Sequence, residues 1–258
     1  MKRCSLVVMI VTIVFVQLFG FAFSESSFWG DYTFEQSTIA MTTARVNLRN
    51  SPFVSSDSLI VIPKNTVLKV VEQSPNWIGV IFEGDYGYIN ADYLKLKVIQ
   101  DAYVLGVYTT FFSTSQKGRT KNIKKAADLI NSYVIEPHKT FSLLDAIGPI
   151  NKENGYFEAP EFKRTSEGTE TVMGYGGGVC QVATTLYQAF CLASYSSSLS
   201  LKERHTHSKS VSYIEDGQDA TISWKAKQDL KWKNDNNYPI MIMTYVHNGA
   251  LSCMILRI

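Results

Sequence analysis

A glycine-rich segment that runs directly into an apolar stretch places the strongest constraint on the fold of this chain. The segment is Gly174-Tyr175-Gly176-Gly177-Gly178-Val179-Cys180-Gln181, and residues 182–193 follow it. Apolar side chains occupy nearly every face of a helix built from that stretch, so the pattern predicts a helix buried in a protein core. Only its N-terminal tip, which carries Cys180 beneath the glycine loop, is expected to reach solvent.

Cys180 is a candidate nucleophile because it lies at a predicted helix N-terminus. Free N–H groups and the positive end of the helix dipole stabilise a thiolate there. The backbone N–H groups of Cys180 and Gln181 are candidates for stabilising an oxyanion. The alternative is a cysteine that only packs against the glycine turn.

The chain supplies two histidines and a carboxylate after this cysteine. His205 and His207 alternate, so on a strand they would point to the same side, and Asp219 follows them. Together with Cys180 they predict a nucleophile, a base and a group that orients the base, and either histidine can be the base. A zinc site is the rival interpretation. The sequence has neither Cys-x-x-Cys nor His-Glu-x-x-His spacing, so we expect no metal and no cofactor.

The first residues have the pattern of an export signal. Lys2 and Arg3 precede an apolar run from Ser5 to Phe23. This arrangement predicts a signal peptide over residues 1–24, with an uncleaved membrane anchor as the alternative. The 25 basic and 23 acidic residues of the chain become equal in number once Lys2 and Arg3 are set aside. Such a balance lacks the concentrated basic face that nucleic acid requires, so no nucleic-acid partner is expected.

The cysteine count is odd outside the predicted signal. Cys4 lies within the signal, which leaves Cys180, Cys191 and Cys253. At least one of these three is therefore expected to be free. A disulfide between Cys191 and Cys253 is one possibility for the other two, and burial as small apolar side chains is the alternative.

The part of the chain before residue 100 reads as a linker followed by a small all-β module. Residues 25–41 are interpreted as the linker, and residues 42–97 contain short strands separated by turns, which predicts a small β-barrel. Four segments carry a likeness to a known domain: Val46–Arg49, Pro63–Thr66, Asn76–Val80 and Gly87–Leu94. On these segments the module resembles a bacterial SH3-like domain. The resemblance implies a module that holds an enzyme against cell-wall peptide or glycan.

Residues 103–258 are predicted to form an α+β domain. Five apolar positions have helical spacing and are followed by Pro137, which is expected to end the helix: Ile123, Ala126, Ala127, Ile130 and Val134. Strands are predicted over residues 211–214, 220–224, 229–233 and 240–256. Asn248-Gly249 tolerates positive φ at both positions and predicts a hairpin turn in the last of these. The domain should therefore end in an antiparallel sheet.

Several sequence blocks of this second domain resemble the VanW domain family. They occur in the family's order between about residues 107 and 246: Phe141-Ser142, Gly155–Pro160, Gly176–Tyr187, Glu203–Ser208 and Gly217–Thr221. The cysteine block and the histidine block carry most of the specificity. The resemblance implies a role in the bacterial cell envelope, and some VanW domains are associated with L,D-transpeptidase activity, which cross-links peptidoglycan stems through diaminopimelate.

The resemblance implies roles for particular residues. Cys180 would attack a donor tetrapeptide, release D-alanine and hold a thioester until an acceptor amine arrives. His205 or His207 would move the proton, and Asp219 or Glu203 would orient the ring. Six residues are expected to bind substrate: Tyr156, Gly176, Gly177, Gly178, Gln181 and Arg204.

The expected function is that of an exported L,D-transpeptidase on the cell wall or the outer face of the cytoplasmic membrane, with peptidoglycan stem peptides as partners. Two alternatives stay open from the sequence. One is a cysteine peptidase that cuts wall peptides, because water can replace the acceptor amine. The other is a peptidoglycan-binding protein without catalysis, linked to the glycopeptide response.

Overall fold

The computed structural model describes residues 37–166 and 168–258. The predicted signal peptide over residues 1–24, Cys4 and most of the predicted linker lie outside these ranges. No helix in the described ranges is long and apolar enough to cross a membrane.

The first seven strands form one antiparallel sheet in the order β3-β2-β6-β5-β4-β1-β7. Their bounds are β1 Ser37–Thr42, β2 Val46–Arg49, β3 Ser58–Ile62, β4 Val67–Gln73, β5 Trp77–Phe82, β6 Asp85–Asn90 and β7 Leu94–Ile99, with a 3-10 turn at Ala91–Tyr93. Leu48, Ile62, Leu68, Val80 and Ile89 fill its core.

This sheet is open, so the predicted small β-barrel holds only in part: the strands are those of a small all-β module, but they do not close into a barrel. Strand β1 begins at Ser37, inside the predicted linker, and pairs with both β4 and β7. The insertion of β1 leaves β7 at one edge of the sheet and β3 at the other. The β2–β6 junction is narrow, because it rests on the single residue pair Arg49 and Tyr88.

The remaining described residues form three smaller sheets and three helices. A four-stranded sheet has the order β8-β16-β15-β9, a three-stranded sheet the order β10-β14-β13, and β11 pairs with β12. The bounds are β8 Tyr103–Phe111, α1 Lys117–Ile130, β9 Tyr133–Ile135, β10 Thr140–Ser142, α2 Leu143–Ile147, β11 Glu158–Thr165, β12 Gly168–Tyr175, α3 Val179–Ala193, β13 Leu199–Glu203, β14 Lys231–Asn234, β15 Ile240–His247 and β16 Ala250–Arg257. The predicted α+β class thus holds only loosely, because the described residues are mostly sheet.

Helix α3 is the buried helix that the apolar pattern predicts. Leu186, Ala189 and Phe190 lie in the main core, and the Phe190 ring stacks on Trp232 with 5.1 Å between centroids. The helix packs so closely on β8 that a side chain at Gly106 would clash with the backbone of Ala189. The packing therefore fixes α3 along its length and leaves its N-terminus to carry Cys180.

Three local predictions are wrong: the end of α1 and the strands over residues 211–214 and 220–224. Helix α1 ends at Ile130 rather than at Pro137, because Val134 enters strand β9 and pairs with Met241. Residues 211–214 form a turn, and residues 220–224 make only isolated bridges at Thr221 and Ser223. The hairpin is confirmed, with φ of 46° at Asn248 and 80° at Gly249.

The seven-stranded sheet and the four-stranded sheet share a buried cluster. Ile39 and Val67 from the first sheet pack with Val104, Met254 and Leu256 from the second. All described residues belong to one compact unit.

Candidate active site

Cys180 is the second residue of α3, and the glycine loop sets its position. Gly176 and Gly178 have φ of 97° and 104°, a region that L side chains rarely adopt. A Cβ atom at Gly178 would lie 2.9 Å from Arg119 Cγ and from Ile123 Cγ1. Side chains at Gly176 and Gly177 would likewise clash with Ile150 and with the backbone of Pro160. The protein itself fills the space beside all three glycines, so they shape the loop and leave no slot there for a ligand.

The thiol of Cys180 is half-buried and has several polar neighbours. Sγ lies 3.3 Å from Thr221 Oγ1 and 3.5 Å from the carbonyl oxygen of Ile222. The ring of His207 also interacts electrostatically with the thiol. Thr221 was not identified from the sequence as a neighbour of the thiol, although it is the last residue of the Gly217–Thr221 block.

The structure brings Cys180, His207 and Asp219 together. Nδ1 of His207 lies 2.6 Å from Oδ2 of Asp219, which also accepts the backbone N–H of His207 at 2.7 Å. Because the carboxylate holds Nδ1, Nε2 is the nitrogen left to meet the thiol. Asp219 is only 4% exposed, so its charge acts on the ring with little screening by water.

Electrostatics at this group favour an ion pair between the thiolate and the imidazolium. Burial alone raises the pKa of the Cys180 thiol, but the hydrogen bond and charge of His207, with the hydrogen bond of Thr221, place it below its ordinary value. Burial alone lowers the pKa of His207, but Cys180 and Asp219 outweigh burial and raise it. The two shifts widen the pH range in which the thiolate and the imidazolium coexist.

His205 belongs to a different group. Its Nε2 lies 3.0 Å from Oε1 of Glu203, whose other carboxylate oxygen accepts from Lys231 at 2.9 Å. The bonds from Lys231 and His205 lower the pKa of Glu203 to about 2. The chain leaves strand geometry after Glu203, so the expected alternation of His205 and His207 does not apply. His205 contributes its carbonyl oxygen, which accepts the N–H of Thr221 at 2.8 Å.

Arg204 holds the segment that carries Asp219. Its guanidinium donates to the carbonyl oxygens of Asp219, at 2.9 Å, and of Gly217, and to the hydroxyl of Tyr187 at 3.1 Å. Thr184 on α3 bonds both the N–H and the carbonyl oxygen of Ala220 at 3.0 Å. Arg204 was predicted to bind substrate, but these contacts make it a support for the carboxylate.

Two further residues predicted to bind substrate are occupied by internal contacts. Gln181 is 1% exposed; its Nε2 donates to Thr110 Oγ1 and to the carbonyl oxygen of Phe111, both at 3.0 Å. Tyr156 is 2% exposed in the main core, its hydroxyl lies 3.4 Å from the carbonyl oxygen of Ile147, and burial raises its pKa to about 12. Neither side chain offers a surface to a ligand.

The backbone donors at the helix tip differ from the expectation. The N–H of Gln181 donates to the carbonyl oxygen of Gly178 at 3.0 Å, so it is not available to an oxyanion. The N–H of Cys180 makes no hydrogen bond within the described residues. It is therefore the backbone donor that remains next to the thiol.

Three aromatic or cationic side chains surround the group and were not identified from the sequence. Phe162 presents its ring edge-on to His207, with 5.9 Å between centroids. Tyr213 is hydrogen-bonded to Thr184 and lies within electrostatic reach of Cys180. The guanidinium of Arg119 lies 5.9 Å from the centre of the Tyr213 ring. No spacing rule links these distant positions to Cys180, so only the fold reveals them.

None of the three described cysteines is bonded to another. Cys180, Cys191 and Cys253 are all free thiols, so a disulfide between Cys191 and Cys253 is not formed. Burial raises the pKa of both Cys191 and Cys253. Within residues 37–166 and 168–258, no group of three or more His, Cys, Asp and Glu side chains is arranged to hold a metal ion.

Comparison with known proteins gives two family matches and one curated relative. The family described as VanW like protein matches residues 118–256, and the bacterial SH3 domain matches residues 44–95. The relative, described as "Uncharacterized protein YoaR" of Bacillus subtilis (strain 168), is 36% identical over 147 residues, which are 57% of this chain and 46% of that protein. The chain thus spans about half the length of this relative. No solved structure matches this chain. Because the VanW match covers more than half of the chain, this protein belongs to the VanW-like family and carries a bacterial SH3 domain.

Proposed function

We propose that this protein is an exported cell-wall enzyme that transfers peptidoglycan stem peptides through a thioester on Cys180, as an L,D-transpeptidase. The observation that carries the proposal is the electrostatic interaction of the Cys180 thiol with His207, together with the short hydrogen bond between His207 and the buried Asp219. Membership of the VanW-like family and the presence of a bacterial SH3 domain support the cell-wall setting.

In the first half-reaction, the Cys180 thiolate attacks the carbonyl carbon that precedes the terminal D-alanine of a donor stem. The electron pair of the carbonyl moves to oxygen, and the N–H of Cys180 can donate to that oxyanion. The imidazolium of His207 gives its proton to the departing amine as the carbon–nitrogen bond breaks. D-Alanine leaves, and the rest of the stem remains as a thioester.

In the second half-reaction, the amine of a neighbouring stem attacks the thioester carbon. Neutral His207 takes a proton from the attacking nitrogen, and the carbon–sulfur bond breaks to return the thiolate. Asp219 keeps the ring oriented in both steps through its bond to Nδ1. The rings of Phe162 and Tyr213 lie near the group, and in the proposed reaction the bound stems themselves keep water from the thioester so that transfer to an amine exceeds hydrolysis.

The test combines the purified full-length chain with a synthetic donor tetrapeptide and an acceptor stem that has a free diaminopimelate amine. We expect a mass increase on Cys180 equal to the tripeptide acyl group, followed by a cross-linked product. Cys180→Ala should abolish both. Cys191→Ala is the matched control, because Cys191 is also a free, half-buried thiol on α3.

The products distinguish three hypotheses: a transpeptidase, a cysteine peptidase and a binding protein without catalysis. Dimers that require Cys180 support transfer, whereas tripeptide without dimer indicates a cysteine peptidase. Stem binding that Cys180→Ala does not change, with no product from either protein, indicates a binding protein without catalysis and overturns the proposal.

A further inference from the structure

Arg119 lies beside the N-terminus of α3 and is fixed there from two sides. Its Cγ atom packs where a side chain at Gly178 would stand, and its Nη2 donates to Gln181 Oε1 at 2.5 Å. Gly178 and Gln181 flank Cys180 in the sequence. The guanidinium is therefore held next to the nucleophile rather than free to swing in solvent.

No carboxylate pairs with this guanidinium within the described part of the chain. None of the ion pairs there includes Arg119, and its side-chain partner Gln181 is a neutral amide. The side chain is half-buried, and burial lowers its pKa although Tyr213 and Cys180 oppose that shift. A partly desolvated cation without a carboxylate partner is costly unless an anion binds it.

The thiolate is not hydrogen-bonded to this cation. His207, Thr221 and the backbone of Ile222 surround Sγ, whereas Arg119 reaches Cys180 only through electrostatic attraction. An anion bound by the Arg119 guanidinium must therefore lie a short distance from the sulfur atom. Guanidinium groups bind carboxylates in a two-pronged geometry, and Arg119 uses only one of its five N–H donors on Gln181.

In the proposed reaction the leaving group is a C-terminal amino acid. Its carboxylate carbon is two bonds from the amine nitrogen that departs, so it necessarily lies close to the attacking sulfur. We propose that Arg119 binds this terminal α-carboxylate and restricts acyl donors to stems with a free carboxyl group one residue after the attacked carbonyl. This inference rests on the proposed function, because it assigns the leaving group of that reaction.

The experiment compares two donor tetrapeptides that differ only in ending with a carboxylate or a carboxamide. The rate of thioester formation on Cys180 is followed by intact mass with the full-length chain. We expect the wild type to prefer the carboxylate donor by about 10- to 100-fold, the range of hydrogen bonds to charged groups. Arg119→Gln should abolish this preference by slowing the carboxylate donor, and Arg119→Lys should keep part of it.

Two results would overturn the inference. One is a wild type that uses both donors equally well. The other is an equal loss of rate with both donors in Arg119→Gln, since that pattern belongs to a group acting on the oxyanion or the thiolate. Thermal unfolding and the alkylation rate of Cys180 establish that each variant is folded with an intact nucleophile.

A binding arm separates this inference from the proposed function. Calorimetry with the Cys180→Ala chain measures the affinity of both donors without chemistry. Stronger binding of the carboxylate donor, lost in the double variant with Arg119→Gln, supports the carboxylate site even if no thioester forms. Equal affinity for the two donors contradicts it.

Discussion

At the scale of single residues, the three free thiols differ in charge environment. His207 lowers the pKa of Cys180, whereas burial raises the pKa of Cys191 and Cys253. Since only the thiolate reacts, iodoacetamide should label Cys180 first, with a pH midpoint below the ordinary thiol value of about 8.5. In His207→Ala the buried Cys180 thiolate loses the positive charge that stabilises it, so the pH midpoint of its labelling should move upward. Peptide mapping by mass spectrometry across pH measures all three sites, and labelling of Cys191 as fast as Cys180 would refute the ion pair.

The two histidines give a second prediction at this scale. His207 contacts the thiol, whereas His205 is paired with Glu203, so His207→Ala should slow thioester formation by about 10²- to 10⁴-fold. His205→Ala is the matched control and should slow it less than about tenfold, because general acid–base contributions belong to the contacting ring. The reverse order would assign the base to His205.

At the scale of elements, the start of α3 depends on Gly178. Alanine there would cost about 1 to 2 kcal/mol from positive φ alone, and its Cβ would also press on Arg119 and Ile123. Gly84 is the matched control, with φ of 99° and only Leu192 at 4.0 Å. Chemical denaturation should show a larger loss of unfolding free energy for Gly178→Ala than for Gly84→Ala, and only Gly178→Ala should alter the alkylation rate of Cys180. Equal losses and unchanged labelling would mean that the loop does not set the site.

The sequence predicts some elements well and others poorly, for physical reasons that differ between them. Helix α3 and the Asn248-Gly249 hairpin follow from local patterns, because apolar burial and positive φ are properties of neighbouring residues. The conformation of residues 208–228 does not follow from local patterns, because its backbone groups are held by side chains from other parts of the chain, such as Arg204 and Thr184. His207 and His205 look equivalent in sequence, and they are distinguished by their partners, Asp219 for His207 and Glu203 for His205. Local periodicity carries no information on such long-range hydrogen bonds.

At the scale of the whole molecule, the seven-stranded sheet and the four-stranded sheet are joined by more than the covalent chain. The N–H of Val104 donates to Ser37 Oγ at 3.0 Å, and the N–H of Val67 donates to Thr109 Oγ1 at 3.3 Å. Buried hydrogen bonds of this kind fix the direction in which two sheets meet. If the SH3 domain binds the cell wall, these contacts between the two sheets set the position of Cys180 relative to the wall.

The shared core predicts that the two domains unfold together. Ile39 belongs to the first sheet and Leu256 to the second, yet both lie in one buried cluster. Either residue changed to alanine should therefore destabilise the described unit as a whole, by about 2 to 5 kcal/mol for a well-packed site. Leu48→Ala, in the core of the first sheet alone, is the control and should shift the same transition.

Calorimetry of the full chain is expected to give a single cooperative transition for the wild type and all three variants, because loss of either sheet exposes the face of the cluster that belongs to the other sheet. Two separate transitions, with Leu48→Ala moving only one of them, would instead make the junction a contact between independent domains, and the SH3 domain would then be free to rotate relative to the site.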